Sequence, residues 1–457
     1  MGGTVQEQIS RYKRSLIDPD VFSITWEFVP GRGSFEKSQV TVIAGAEQAA
    51  AGRRVHGVTI TDNPGGNPAI SVEMLASEIA RLGIEPLVHF SCKDKNRNEL
   101  EALLHGMERA SIRNLLVMTG DYTYSGFKSR AKPVFDLDAT QLLELITALN
   151  EGLEVPTLKG TAKLSPTHFF AGAVVSPFKA TEPEVVTQYY KLEKKLRAGA
   201  QFIATQLGYD ARKFHEVLMM MKYLGFGDVP VIGNVYVLSR PVARLMNRGG
   251  VPGCVVTDKL LADITEEAQA PDKGKALRLE RAAKMVAIMR GMGFAGAHIG
   301  GHGLKYEHVE TILDQSEEFF PIWHDLVSEL DYPQPNGWYY FEKNPETGLN
   351  TETPVDRSGR RPRSPLSYSG FRLIHHLMFR EKGILFRPMR TLARAVDGSF
   401  VEHLFGRVEQ LVKLCTNDCM HCGDCALFDT AFVCPMSQCP KGQRNGPCGG
   451  SMNGWCE

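Results

Sequence analysis

The chain has 457 residues, and its 52 Lys and Arg balance its 52 Asp and Glu. A balanced charge lacks the basic footprint of a nucleic-acid-binding protein, and no apolar run is long enough to span a bilayer. This length exceeds what one hydrophobic core usually supports, so the sequence predicts a large domain with a smaller appendage, acting on small molecules or other proteins. The polar residues 1–14 lack an apolar signal region, which predicts a cytoplasmic location.

Eight short apolar runs have the character of buried parallel strands. They lie at 21–27, 55–60, 86–91, 114–119, 168–174, 201–206, 230–235 and 294–299. Segments with helical periodicity alternate with them, for example at 70–82, 139–151, 184–198 and 274–292. This alternation predicts an α/β fold, a (β/α)8 TIM barrel, with extra loops or helices in the longer intervals before the fifth and eighth strands.

The periodic pattern stops after residue 315. We therefore predict a barrel over 1–315, a connecting linker over 316–370 and a small cysteine-rich, metal-binding domain of α+β or irregular structure over 371–457. The linker assignment depends on the Pro-, Gly- and charge-rich stretch 343–370. Helical signals return at 371–380 and 400–414.

Eight of the ten cysteines lie in the last domain and are its candidate metal ligands: Cys415, Cys419, Cys422, Cys425, Cys434, Cys439, Cys448 and Cys456. The spacing from Cys419 to Cys425, followed by Cys434-Pro435, is typical of ferredoxin-like ligation and favours iron–sulfur clusters of the 4Fe-4S type. Paired Cys-x2-Cys units also form tetrahedral zinc sites. Disulfides are a third alternative, but they need an oxidising compartment.

Residues at the C-terminal ends of barrel strands carry the chemistry of this fold. Glu27 ends an apolar strand, where burial would raise its pKa and suit it to be a general acid, although a structural carboxylate is the alternative. Each other candidate also has a structural interpretation: Asp121 as a turn residue, His89 as a core histidine and Gln206 as a rim residue. Gly300, Gly301 and Gly303 follow the last strand and could either leave amides free for a cofactor phosphate or form a plain turn.

Several of these segments together resemble the methylenetetrahydrofolate reductase family. They are WEFVP around Glu27, VTI at 58–60, LVHFSCKD around His89, TGD at 119–121, KKLRAGAQFIATQ at 194–206 and MVAIMRGMGFAGAHI at 285–299. The tail, with CMHCGDC and CPKGQRNGPCGGS, is similar to the cysteine-rich C-terminal or partner module found with the reductases of acetogens and related anaerobes. The resemblance therefore covers both the barrel and the tail.

The resemblance implies that the barrel binds a flavin and 5,10-methylenetetrahydrofolate and makes 5-methyltetrahydrofolate. Glu27 would protonate the folate nitrogen, so that reduced flavin N5 can pass a hydride to the one-carbon unit. Asp121 matches an aspartate near both flavin and pterin, and Gln206 matches a glutamine that holds the pterin. The implied cofactor-binding positions are Thr59, His89, Thr119, Gly120 and Lys195, together with Gly300 and Gly301.

Three segments depart from the family pattern. Thr119 stands where bacterial members often carry Arg, VVSPFK at 174–179 replaces a Tyr-Pro-Glu-x-His segment, and GGHGLK after the last strand lacks an arginine. These departures favour FMN over FAD.

The metal in the tail bears on the electron donor. An iron–sulfur cluster would let ferredoxin or a partner oxidoreductase subunit supply electrons, whereas a zinc tail would be structural and NAD(P)H would serve. Two other classes of function stay open: a pterin-binding methyltransferase whose tail docks a corrinoid protein, and a non-catalytic assembly subunit. A homo- or hetero-oligomer is compatible with each of them.

Overall fold

A closed barrel of eight parallel strands forms the first part of the molecule. The computed structural model describes residues 10–359, 364–423, 425, 427–452 and 455–456. Its strands are β1 (Ser23–Phe28), β2 (Gly57–Ile60), β3 (Pro86–Ser91), β4 (Asn114–Met118), β5 (Glu154–Thr157), β6 (Gly160–Lys163), β7 (Phe170–Val175), β8 (Phe202–Thr205), β9 (Val231–Tyr236), β10 (Gly296–Gly300), β11 (Phe341–Lys343), β12 (Asn350–Pro354), β13 (Ser451–Met452) and β14 (Trp455–Cys456).

The order around the barrel is β1-β2-β3-β4-β7-β8-β9-β10, and β10 pairs with β1. Every neighbouring pair is parallel, and each of the eight predicted strands overlaps one of these. The predicted TIM barrel is therefore confirmed. The β5–β6 hairpin occupies the long interval before the fifth barrel strand, as an antiparallel pair outside the barrel.

Helices follow the barrel strands and also form most of the later chain. They are α1 (Arg11–Ile17), α2 (Lys37–Gly52), α3 (Val72–Arg81), α4 (Arg97–Arg109), α5 (Ala139–Glu151), α6 (Glu182–Arg197), α7 (Ala211–Tyr223), α8 (Arg240–Asn247), α9 (Asp258–Glu267), α10 (Lys275–Met292), α11 (Tyr306–Phe319), α12 (Trp323–Leu326), α13 (Leu366–Ile374), α14 (Phe386–Val396), α15 (Phe400–Asn417) and α16 (Pro435–Gln438). Of the described helices, none is long and apolar enough to cross a membrane.

Apolar side chains form two separate layers in the barrel. In β3, Leu87 belongs to a small inner cluster, whereas Val88 and Phe90 belong to the large layer between strands and helices. The inner cluster includes Tyr12 of α1, whose ring lies edge-on to Phe202 with centroids 5.9 Å apart. Because this aromatic cluster fills the interior at the N-terminal ends of the strands, the polar interior positions lie at the C-terminal ends.

The chain divides into two compact units. The first unit consists of Met1–Val355 and Cys448–Glu457, and the second unit is Asp356–Pro447. Residues 316–355, which the sequence assigned to a linker, fold with the first unit: the Arg212 guanidinium donates to Asn350 Oδ1 (2.8 Å) and to the Phe341 carbonyl (2.7 Å). The sequences of β11 and β12 lack the long periodic apolar runs on which the prediction of elements relied. Their packing against α7 therefore could not be predicted. The second unit contains α13 to α16, and its helices overlap the two predicted ones.

Candidate active site

Predicted polar residues converge on the interior at the C-terminal end of the barrel. Glu27 on β1 pairs in register with Thr59 on β2, and Thr25 pairs with His298 on β10. Thr25 and Glu27 share the inner face, since side chains alternate along a strand. His89 on β3 lies across this space, with its ring centroid 6.2 Å from that of His298. These polar side chains share the barrel interior on the C-terminal side of the inner aromatic cluster.

The Glu27 carboxyl sits in an environment that favours its protonated form. Burial raises its pKa from 4.5 to about 7, since a carboxylate loses hydration there. The nearest basic group, His298 Nε2, lies 4.0 Å from Glu27 Oε1. Burial lowers the pKa of His298 to about 3, and its Nδ1 lies 3.0 Å from Thr25 Oγ1. The neutral imidazole therefore does not hold Glu27 ionised, and near neutral pH the carboxyl can give a proton to a ligand.

Asp121 joins two loops at the rim of the barrel. Its Oδ2 accepts a hydrogen bond of 3.0 Å from the Gly65 amide, so Asp121 fixes the loop after β2 in addition to its own. The preceding Gly120 has φ of +91°, and a Cβ atom there would lie 3.0 Å from Lys93 Cδ. Thr119, before it, is buried. The loops after β2 and β4 therefore meet at the C-terminal opening of the barrel, its mouth, and the Asp121 carboxylate lies there.

Lys93 belongs to this rim, although no pattern in the sequence indicates it. It follows β3 and is 1% exposed, and its ammonium donates to the Asn63 carbonyl. Burial lowers the pKa of Lys93, while the charges of Asp121 and Asp62 act in the opposite direction. In the sequence Lys93 stands in the charged run CKDKNR, which resembles a solvated loop. Only its burial and the two carboxylates near it in space distinguish Lys93 from a surface lysine.

Gln206 follows β8 and faces the loop that carries Gly253 and Cys254, which no pattern in the sequence indicates. Its Oε1 accepts from the Leu207 amide at 2.9 Å. A Cβ atom on Gly253 would lie 3.6 Å from Gln206 Nε2. Burial, followed by the charges of Asp121 and Glu27, raises the pKa of the Cys254 thiol to about 12. The loop that carries Gly253 and Cys254 thus lies at the same mouth as both carboxylates.

Lys195 and the strand-end glycines occupy different surroundings. Lys195 on α6 donates from Nζ to the Val174 carbonyl at 2.6 Å, and burial lowers its pKa to about 8. Gly300 ends β10 directly beside Glu27, because a Cβ atom there would lie 2.6 Å from Glu27 Oε2. Gly301 packs against Val237 and Leu304. Gly300 is therefore the glycine that leaves room next to the acid.

In the second unit, four of the predicted metal ligands line one cavity of about 490 Å³: Cys419, Cys422, Cys425 and Cys434. Lys413 of α15 lines the same cavity, and its charge interacts with Cys425 and Cys419. Among the described residues, no three His, Cys, Asp or Glu side chains are close enough to hold a metal ion in this arrangement. Cys415 and Cys439 do not line the cavity, and Cys448 and Cys456 belong to the barrel unit. The eight metal ligands stay a prediction.

The family of the chain follows from two matches, one over the barrel and one over the cysteine-rich tail. Residues 12–316 match the family described as methylenetetrahydrofolate reductase, and residues 399–457 match the one described as methylene-tetrahydrofolate reductase C terminal. The chain belongs to the methylenetetrahydrofolate reductase family. The resemblance that the sequence motifs indicated is thereby confirmed for the barrel and the cysteine-rich tail.

Two solved structures are similar to this family member. One is an uncharacterized protein from Clostridium thermocellum that binds two copies of 5-methyl-5,6,7,8-tetrahydrofolic acid, with 11% identity, 68% of this chain and 99% of that chain covered, and a TM-score of 0.46. The other is 2,3-dimethylmalate lyase, a member of the PEP mutase/isocitrate lyase superfamily, with 10% identity, 67% and 83% covered, and a TM-score of 0.36. The family assignment rests on the two sequence matches alone.

The flavin that reductases of this family generally bind requires polar contacts, and three buried atoms inside the barrel could supply them. Thr59 Oγ1, His89 Nε2 and Asn234 Oδ1 have no hydrogen-bond partner among the described residues. Buried polar groups in folded proteins are nearly always hydrogen-bonded, so these atoms indicate a polar ligand. Burial lowers the pKa of His89 to about 4, which keeps its ring neutral. The residues fit a polar heterocycle such as flavin, and Thr59 and His89 are the predicted contacts among them.

Replacing Gly300 with alanine is expected to reduce folate turnover in this reductase by on the order of 10- to 10²-fold, because the new methyl group must displace the Glu27 carboxyl. The atom that it meets is the end of a flexible side chain, so the barrel itself should fold normally. Steady-state kinetics and thermal unfolding of the variant measure the two effects separately.

Gly106→Ala is the matched control for this substitution. Gly106 lies on α4, and no described atom beyond its chain neighbours and the backbone of its own helix lies within 4 Å of the position that its new methyl group would take. This change should therefore leave turnover unaltered and stabilise the helix by up to ~1 kcal/mol. Unaltered turnover in Gly300→Ala would contradict the close approach of Gly300 to the acid.

Proposed function

We propose that the chain reduces 5,10-methylenetetrahydrofolate to 5-methyltetrahydrofolate with a bound flavin. One observation carries this proposal: a single carboxyl, Glu27, is held at the barrel mouth with a pKa of about 7. Membership of the reductase family supports the same reaction. A carboxyl with that pKa is well suited to give a proton near neutral pH.

The reaction needs one proton and one hydride. In the substrate a methylene carbon bridges two folate nitrogens, and Glu27 protonates one nitrogen as its bond to that carbon breaks. The opened carbon is an electrophilic iminium, which accepts the hydride and becomes the methyl group. Bound flavin supplies the hydride. Glu27 is left ionised, and it regains a proton from solvent, to which its side chain is 20% exposed.

Two side chains at the rim are assigned to the pterin. Asp121 uses Oδ2 for the Gly65 amide, and we assign its Oδ1 to a donor on the pterin ring. Gln206 uses Oε1 for the Leu207 amide, and we assign its Nε2 to a pterin acceptor. Each residue is thus fixed by one hydrogen bond to the backbone, which reduces the entropy lost when the substrate binds.

We assign a metal centre to the second unit, with Cys419, Cys422, Cys425 and Cys434 as its ligands. Thiolates in Cys-x2-Cys spacing suit an iron–sulfur cluster or zinc, and all four line one cavity. A cluster would make ferredoxin or another electron-donor protein the source of electrons, whereas zinc would leave that role to NAD(P)H. The metal therefore decides between the two donors.

Anaerobic incubation with 5-methyltetrahydrofolate tests the proposed function by running the reaction backwards. Flavin-loaded protein is expected to bleach, because the methyl group returns a hydride. Tetrahydrofolate, which lacks the methyl group, is the matched control and should leave the flavin oxidised. Flavin that stays oxidised with both folates would overturn the proposal, and methyl transfer to a corrinoid would then favour the methyltransferase.

A further inference from the structure

A short segment late in the chain rejoins the barrel unit after the second unit ends at Pro447. Residues 448–451 form this returning segment. Lys179, which is 1% exposed, donates from Nζ to the carbonyl of Gly449 and, at 2.9 Å, to that of Ser451. Gln188 on α6 donates from Nε2 to the Cys448 carbonyl at 3.0 Å. Three backbone carbonyls are thus held by two side chains from the barrel.

The returning segment lies next to the residue assigned to the pterin. A Cβ atom on Gly253 would lie 3.2 Å from the Gly449 carbonyl oxygen and 3.6 Å from Gln206 Nε2, so both groups border the same small space. The charge of Lys179 also affects the buried thiol of Cys254, on which the charges of Glu27 and Asp121 act as well. These contacts place the segment at the mouth of the barrel.

An unpartnered polar atom lies beside the segment. Ser176 is 6% exposed, and its Oγ has no hydrogen-bond partner among the described residues. Its Cβ would lie 3.3 Å from a Cβ atom on Gly449. A buried hydroxyl without a partner indicates a ligand that supplies one. Ser176 and Lys179 both belong to VVSPFK, the segment that departs from the family pattern.

We propose that the returning segment is one wall of the folate site, held in place by Lys179 as a positioning residue. The inference rests on the proposed function, and it adds a part of the chain that the barrel alone does not supply. A carbonyl oxygen has two lone pairs, so Gly449 can accept from Lys179 and from a ring N–H of a pterin. Gly449 and Gln206 Nε2 then offer an acceptor and a donor to the same heterocycle, with Ser176 Oγ nearby.

Lys179→Met tests the positioning role, because it keeps the length of the side chain and removes its three donors. The concentration of 5-methyltetrahydrofolate that gives half-maximal flavin bleaching is expected to rise roughly tenfold. Flavin content and the bleaching rate at saturation should change by less than about twofold, since the chemical groups stay in place. Gln188→Leu should act in the same direction, and the double variant should be less than additive because both side chains hold one segment.

Lys213→Met is the matched control. Lys213 is equally buried and donates to the Trp338 carbonyl at 2.6 Å, so its loss destabilises the fold without releasing the returning segment. In Lys213→Met, the concentration of 5-methyltetrahydrofolate that gives half-maximal flavin bleaching should equal that of the unaltered protein.

Hydrogen–deuterium exchange of the unaltered protein provides a readout that needs no variant. The amides of residues 448–451 should exchange more slowly when 5-methyltetrahydrofolate is bound. Unchanged exchange, or an unchanged half-saturating concentration in both variants, would overturn this inference alone. If 5-methyltetrahydrofolate does not bleach the flavin of the unaltered protein, the proposed function is overturned and this inference with it.

Discussion

Glu27→Gln is expected to lower folate turnover by on the order of 10²- to 10⁴-fold, the usual contribution of a positioned general acid. Glutamine has nearly the same shape but no proton to give, so 5-methyltetrahydrofolate should still bind. Steady-state turnover and equilibrium folate binding measure the two quantities. In the unaltered protein, turnover limited by the chemical step should fall about tenfold per pH unit above pH 7, because the protonated form of Glu27 is lost.

The same variant should be more stable than the unaltered protein at alkaline pH. The folded-state pKa of Glu27 is raised from 4.5 to about 7, so between these values the unfolded chain ionises first and folding stability falls as the pH rises. The full loss, about 3 kcal/mol at 1.36 kcal/mol per pKa unit, is present above pH 7 and absent below pH 4.5. Urea unfolding at pH 4 and pH 8 should show the gain in Glu27→Gln only at pH 8.

Glu108→Gln controls for the change of a carboxylate to an amide. Glu108 pairs with Arg113 and lies beside His168, which precedes β7 at the opposite end of the barrel. Its turnover and pH profile should match those of the unaltered protein. Turnover in Glu27→Gln equal to that of Glu108→Gln would remove Glu27 from the mechanism.

Replacing Cys419 and Cys422 together with serine is expected to abolish metal binding in the second unit, because a four-thiolate site loses half of its ligands. Iron and zinc analysis of anaerobically purified protein, with its visible spectrum, measures the result. If the site holds a cluster, electron transfer from reduced ferredoxin should be lost, whereas bleaching by 5-methyltetrahydrofolate should continue in the barrel.

Cys92→Ala is the control for loss of a thiol, because Cys92 is buried in the barrel core and its change should leave the metal content unaltered. Metal content unaffected in the double serine variant would contradict the four-cysteine site. A colourless protein that holds zinc and no iron would remove the electron-relay role, because zinc has no redox chemistry.

The barrel and the general acid Glu27 could be predicted from the sequence, because each depends on a pattern of neighbouring residues. Glu27 is an ionisable residue inside an apolar strand, and alternation alone puts it on the face of Thr25. The position of Gly300 beside it required the pairing of β10 with β1, which joins residues from opposite ends of the barrel sequence. The other candidate site residues came from the resemblance to the family, because a family motif indicates which residues from distant parts of the sequence form one site.

Residues on irregular segments could not be found in this way. Lys93, Cys254 and Lys179 have no periodic pattern, and each is identified only by what surrounds it in space. The hairpin at 341–354 was assigned to a linker because it overlaps a Pro-, Gly- and charge-rich stretch, although Arg212 and Lys213 hold this region to the barrel unit. Side chains that bond backbone carbonyls leave no signature in the partner sequence, since every residue type has a carbonyl.

The division of the chain also has a consequence for its synthesis. The ribosome makes residues 356–447 before it makes the segment that rejoins the barrel unit, so Lys179 of the nascent barrel exists before the carbonyls of Gly449 and Ser451 to which it donates in the folded protein. Burying an ammonium that lacks part of its hydrogen bonds costs free energy, which should keep that side of the nascent barrel open to water until the segment arrives. Completion of the mouth would therefore be a late step of folding, and only then would the intervening unit be tethered at both ends, with less chain entropy than a segment tethered at one end.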